Sequence, residues 1–172
     1  MDLPPAPLEL LFSTNAAKSL RVKTSAPASN QAGNFLQQWR IELMDNLMGS
    51  RAFVITNLST LFTFIIPQEF PCTFDSITKT FLMRLRFSLL AASPPVEWKP
   101  SEVIPVRGNP RAVIGSMNDM ISMVTFRREA NNFDGTEAED FLNRTPFSMI
   151  GMKRPKDRFM DQLQALSGHI NR

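Results

Sequence analysis

Tyrosine is absent from the 172 residues, and cysteine and histidine occur once each, as Cys72 and His169. A single cysteine can form neither an internal disulfide nor a Cys-rich metal cluster, and it points to a reducing compartment. His169 lies three residues from the last position of the sequence, where fraying is common. Ser-His-Asp and Cys-His sites need an imidazole held firmly by its surroundings, and a two-histidine zinc site cannot be built from one histidine. Catalysis is thereby left to carboxylates, Lys, Arg, Ser or backbone amides. The balance leans away from an enzyme, and nothing in the sequence calls for a cofactor or a bound metal.

Long apolar runs are also missing. The longest, around 58–67 and 81–92, fall well short of the roughly 20 residues that cross a bilayer. The opening Met1-Asp2-Leu3-Pro4-Pro5 has neither the basic start nor the apolar core of a secretory signal. These features predict a cytoplasmic protein with no membrane association. What is present is ordinary globular stock: 43% hydrophobic and 20% charged residues, with 19 Lys and Arg against 16 Asp and Glu. Thirteen of the 19 cations are Arg, whose planar fork of donors suits phosphate or carboxylate. The excess of three is small, so only clustering in space would make a nucleic-acid footprint of it.

Periodicity divides the chain. Residues 1–7 carry three prolines and read as a flexible, extended lead-in. Leu8-Glu-Leu-Leu-Phe12 reads as a strand, with a helix opening near Thr14 or Asn15. Residues 24–34 are rich in Ser, Ala, Asn, Gln and Gly without periodicity, which predicts a mobile loop. Trp39-Arg-Ile41-Glu-Leu43 alternates as a half-buried strand does. Phe35, Trp39, Leu43 and Leu47, spaced by four, leave a helix open as the rival. Gly49-Ser50 then turns into Arg51–Thr56, and a second turn at 57–59 leads to 60–66. Phe53, Val54, Ile55, Phe62, Phe64 and Ile65 are the β-branched and aromatic types a sheet favours, so this region is an expected antiparallel meander.

Helices follow. Ile77, Phe81, Leu85 and Leu89 recur every four residues behind a cap at Asp75 or Ser76. Val103-Ile-Pro-Val106 reads as an edge strand, because proline cannot donate within a ladder. Ser116 with Asp119 resembles a capping box ahead of Met117, Met120, Ile121 and Val124, and Thr136-Glu-Ala-Glu139 resembles another. Pro155 suits the first turn of a last helix with Phe159, Met160, Leu163 and Leu166 inward. The expected fold is α+β, a single domain over 1–172, with the meander in the N-terminal half packed against several helices.

The stretch Arg111-Ala-Val-Ile-Gly-Ser-Met-Asn-Asp119 resembles the marker of a bacterial family of small proteins defined only as a domain of unknown function. That marker reads Arg, any residue, Val, Ile or Leu, then Gly-Ser-Met-Asn-Asp. Trp39 ahead of a hairpin, Asn57 with Thr60 in the meander, and an Asn-x-x-Pro element at Asn143 to Pro146 support the resemblance, which covers roughly 8–150. It implies a fold and brings no reaction with it.

The same stretch holds the candidate recognition site. Gly115 and Ser116 ahead of an expected helix would offer free amides and a hydroxyl to an anion, and Arg111 would add a guanidinium. Asn118 and Asp119 complete the candidate binding set, Asp119 favouring a partner carboxylate over phosphate. The simpler alternative is that Gly115 turns the chain while Ser116, Asn118 and Asp119 satisfy first-turn amides. Glu137, Glu139 and Asp140 could supply oxygen ligands to Mg²⁺, although first-turn acids also suit the helix dipole. The expectation is a non-enzymatic binding or regulatory module, of bacterial or mobile-element origin, that works through a protein partner. A nucleic-acid-binding, toxin-like protein with an Arg-rich surface is the runner-up, and a carboxylate–metal hydrolase comes third.

Overall fold

The computed structural model describes residues 1–24, 33–47, 50–68, 72–130 and 134–170. Five strands form one sheet: β1 (Leu8–Phe12), β2 (Gln38–Leu47), β3 (Ser50–Asn57), β4 (Thr63–Pro67) and β5 (Val103–Val106), in the order β4-β3-β2-β1-β5. The expected meander is present, since β2 pairs with β3 and β3 with β4, both antiparallel. The sheet as a whole is mixed, however. β1 inserts between β2 and β5 and runs parallel to both, so the α+β fold stands while the purely antiparallel picture does not. The reason is non-local: β1 is apolar at Leu8, Leu10, Leu11 and Phe12, all buried, as a strand covered on both faces must be.

Strand alternation sends side chains to two cores. Leu10, Trp39, Ile41, Phe53, Ile55 and Phe64 pack on one face, beneath α1 (Thr14–Ser19), α2 (Phe74–Leu90) and α5 (Pro155–Ile170). Met44, Val54 and Ile65 pack on the other, beneath α3 (Arg111–Ala130) and α4 (Gly135–Arg144). Trp39 lies on β2, which decides between strand and helix, and it is fully buried. Its ring stacks on Phe64 at 5.8 Å and meets Phe81 edge-on at 5.0 Å. Its indole N–H donates to the Leu36 carbonyl at 2.7 Å, so the one polar atom of the ring is satisfied. Ile77, Phe81, Leu85 and Leu89 form the buried stripe of α2, as their spacing requires.

Three expected helix starts move. α2 is capped by Thr73 in a reciprocal pair with Ser76, not by Asp75 or Ser76. α4 is capped by Asp134 paired with Glu137, two residues before the box expected at Thr136; Asp and Thr are both good caps, and the reach of the buried Ala138 and Leu142 decides the register. α3 begins at Arg111 instead of Ser116. Pro110 supplies a fixed φ and a carbonyl that accepts from Ile114 N at 2.9 Å. Val113 extends the buried stripe of Met117, Met120 and Val124 by a full turn.

The lead-in runs beside residues 97–101. Leu3 N donates to the Glu97 carbonyl and Ser101 N to the Ala6 carbonyl, at 2.9 and 3.0 Å, and Leu3 is buried. Most of the loop expected at 24–34 and the turn residue Gly49 lie outside the described residues.

Candidate functional site

β1 and β5 are neighbours pointing the same way, yet they deliver the chain to opposite faces of the sheet. From Phe12 the chain enters α1, whose Ala16 belongs to the first core. From Val106 it enters α3, whose Val113 belongs to the second. Two adjacent parallel strands whose connections diverge leave a crevice beyond their carboxyl ends. A cleft of about 920 Å³ opens there, walled by residues 12–24 on one side and Arg107, Gly108 and Asn109 on the other.

Local chemistry shapes both walls. Ser13 caps α1, its hydroxyl accepting from Ala16 N at 3.2 Å. The helix ends after two turns in a pair of reversed bonds, Val22 N to the Ala17 carbonyl at 2.9 Å and Arg21 N to the Lys18 carbonyl at 3.2 Å. This termination places the residue at Arg21 in the left-handed region, with φ +52°, a position where glycine is the usual occupant. On the opposite wall Arg107 Nε donates to Thr24 Oγ1 at 3.0 Å, tying the two sides together. Beneath them Arg40, from β2, is only 6% exposed. It donates to the Gly108 carbonyl at 2.7 Å and forms a 2.7 Å ion pair with Glu42. Arg40 is a strut that fixes the post-β5 loop, with its charge already matched.

Lys18, Arg21, Lys23 and Arg107 are exposed. With Arg40 they place five of the chain's 19 cations around one cleft, and no Asp or Glu lines it among the described residues. The small net charge of +3 therefore conceals a strongly uneven distribution. A second cleft, of about 460 Å³, lies at α4 and has balanced charge: Asp140 pairs with Arg144 at 2.9 Å, and the Arg127 guanidinium sits 4.5 Å from the Phe141 ring.

The residues expected to form a site around Ser116 take other positions. Because α3 starts at Arg111, Gly115 and Ser116 lie in its second turn and present no free helix-start amides. The Ser116 hydroxyl contacts Met149 Sδ at 3.6 Å instead of capping a helix. Arg111, Gly115, Asn118 and Asp119 all lie on the exposed side of α3, and Arg111 follows the cleft residue Asn109 by two positions. A methyl group placed on Gly115 would meet nothing within 4 Å, so no close internal approach requires glycine there.

The carboxylates considered for a metal go to separate partners. Glu137 accepts from Asp134 N at 2.9 Å. Glu139 accepts from Ile65 N and pairs with Arg84, each at 2.7 Å. Burial raises the Glu139 carboxyl above its ordinary value, against the lowering effect of the Ile65 bond and the Arg84 charge. No group of three or more metal-ligating side chains occurs among the described residues. Asp161 pairs with Lys153 at 2.7 Å. Burial likewise raises the Cys72 thiol, keeping it protonated and weakly nucleophilic.

The family described as a domain of unknown function, DUF6933, matches residues 11–158. The chain belongs to that family. A search of curated proteins finds no match. The DUF6933 span takes in both walls of the cleft, Arg40 beneath it, and the Arg111 to Asp119 stretch. No helix among the described residues is long and apolar enough to cross a membrane.

The cleft residues were missed by sequence reasoning for a geometric reason. Residues 12–24, 40 and 107–109 meet only because β1 inserts between β2 and β5. One local signal was available: Lys18, Arg21 and Lys23 fall within six residues, in the last turn of a short helix and just beyond it.

Proposed function

We propose that this protein is a non-enzymatic binding module whose recognition surface is the basic cleft beyond β1 and β5, and that its ligand is anionic. The observation that carries this reading is the clustering of Lys18, Arg21, Lys23 and Arg107, with no acidic residue in the lining among the described residues. A concave wall of like charge focuses the field and raises the local concentration of anions. Calorimetric titration with inorganic pyrophosphate at low salt is expected to give saturable binding that weakens as salt is raised, because exposed cations are screened. Absence of binding at low salt would remove the reading.

A protein partner remains the second reading, supported by the exposed side of α3. Arg111, Gly115 and Asn118 follow one another at helical spacing on that side, and nothing in the interior needs the glycine. Close approach by a partner backbone would need it. A regulatory role and a bacterial or mobile-element origin belong to the same proposal, of which the bacterial part draws on the marker-like Arg111 to Asp119 stretch.

A further inference from the structure

We infer that the anion taken by the cleft is a small phosphorylated molecule of about nucleotide size, with its phosphates held by Arg21 and Arg107; the inference rests on the anion-binding reading above. Four observations converge on it. The cleft's volume of about 920 Å³ falls within the roughly 300–1,000 Å³ of small-molecule sites. Its position, beyond the carboxyl ends of adjacent parallel strands with diverging connections, is where open sheets with helices on both faces place such ligands.

The lining chemistry separates phosphate from the other polyanions. Two exposed arginines and two exposed lysines line the cleft, more positive charge than one carboxylate can use, and a guanidinium fork can bind a phosphate with two parallel bonds. The half-buried Ala17 and Val22 add an apolar patch for the uncharged part of a ligand. Single-stranded nucleic acid needs rings on which bases stack. Phe12 is the sole aromatic residue in the described lining, and it is 6% exposed with its ring packed 5.9 Å from Phe74. The cleft offers a strand no stacking platform.

Arg21 is the fourth observation. It occupies a left-handed turn position, φ +52°, that glycine would fill without strain. Such backbone positions cost free energy and cluster at ligand-binding sites, and of the non-glycine residues with positive φ among the described residues, Arg21, Leu61 and Met152, only Arg21 lines the cleft.

The test is a competition series with the full chain. Pyrophosphate is titrated first, then each common nucleoside diphosphate, a hexaglutamate peptide and a short oligothymidylate, on wild type and on Arg21→Gly and Arg107→Ala. The expected result is binding of at least one nucleoside diphosphate in one-to-one competition with pyrophosphate, undisturbed by hexaglutamate. Losing one charged hydrogen-bond pair should weaken this binding about 10- to 100-fold in either variant, and Arg21→Gly should melt higher than wild type. Pyrophosphate binding without any nucleoside diphosphate binding, or displacement by hexaglutamate or oligothymidylate alone, would overturn this inference and leave the anion-binding reading standing. Failure of pyrophosphate to bind would overturn both. Unchanged affinity in Arg21→Gly and Arg107→Ala would overturn the assignment of the two arginines.

Discussion

Glu139 shows how a half-buried carboxylate can be structurally occupied and electrostatically costly at once. It accepts from Ile65 N and pairs with Arg84, whose guanidinium also donates to the Ile65 carbonyl at 2.9 Å. Even so, burial leaves its carboxyl above the ordinary value of 4.5. The folded protein therefore binds this proton more tightly than the unfolded chain does. The group's favourable contribution is complete below the ordinary value and is lost as pH rises through the elevated one. Glu139→Gln imitates the protonated form, so its stability relative to wild type should improve from pH 4 to pH 7 and end within about 1 kcal/mol of it. Glu139→Ala leaves the Ile65 N–H without its acceptor and should cost about 1–3 kcal/mol. Urea unfolding across that pH range measures both. A glutamine variant several kcal/mol weaker at pH 7 would show that the Arg84 attraction outweighs burial.

At the scale of elements, α4 closes the free edge of β4. Asn143 Oδ1 accepts from Thr63 N at 2.9 Å and its Nδ2 donates to the Thr63 carbonyl at 2.8 Å, while Glu139 takes Ile65 N. One helical turn rises about 5.4 Å, and two strand residues span about 6.6 Å, so side chains four apart on a helix can reach alternate residues of a strand. The Asn-x-x-Pro element thus does the work of a missing sixth strand and protects an edge that could otherwise pair with another chain. Asn57 plays a comparable part in the β3–β4 turn, accepting from Ser59 N, Thr60 N and the Thr60 hydroxyl at 3.1, 3.0 and 2.9 Å. Residues that marked the family resemblance here are fold struts.

Gly115 behaves differently. It sits inside α3, exposed, with open space where a side chain would be. Gly115→Ala should stabilise the protein by about 0.5–1 kcal/mol, because glycine wastes backbone entropy in a helix. A lower melting temperature in that variant would mean the site needs glycine for the fold itself.

The meander, the stripe of α2 and the edge position of β5 were legible because period, β-branched residues and proline act locally. Trp39 was ambiguous for the same reason: spacing by two and spacing by four coincide between Phe35 and Leu47, and only the pairing of β2 with β1 and β3 decides. The start of α3 was misread because Gly115-Ser116 looks like a turn and cap, while the signal that prevails is Val113 joining a buried stripe. Of the cleft only the Lys18, Arg21 and Lys23 cluster was legible, since its two walls are brought together by long-range parallel pairing.

For the whole molecule, the decisive event is the insertion of β1 between β2 and β5. It converts a plain meander into a mixed sheet covered on both faces, and it brings Lys18, Arg21 and Lys23 opposite Arg107. The overall charge of +3 matters less than this arrangement, because a ligand meets the local field first. The claim that this cleft is the recognition site is most directly tested by amide chemical-shift mapping of the full chain during a pyrophosphate titration. The expected result is saturable shifts confined to Ser13 through Thr24 and Arg107 through Asn109. Shifts centred instead on Asn118 and Asp119 of α3, with the cleft amides unmoved, would contradict it.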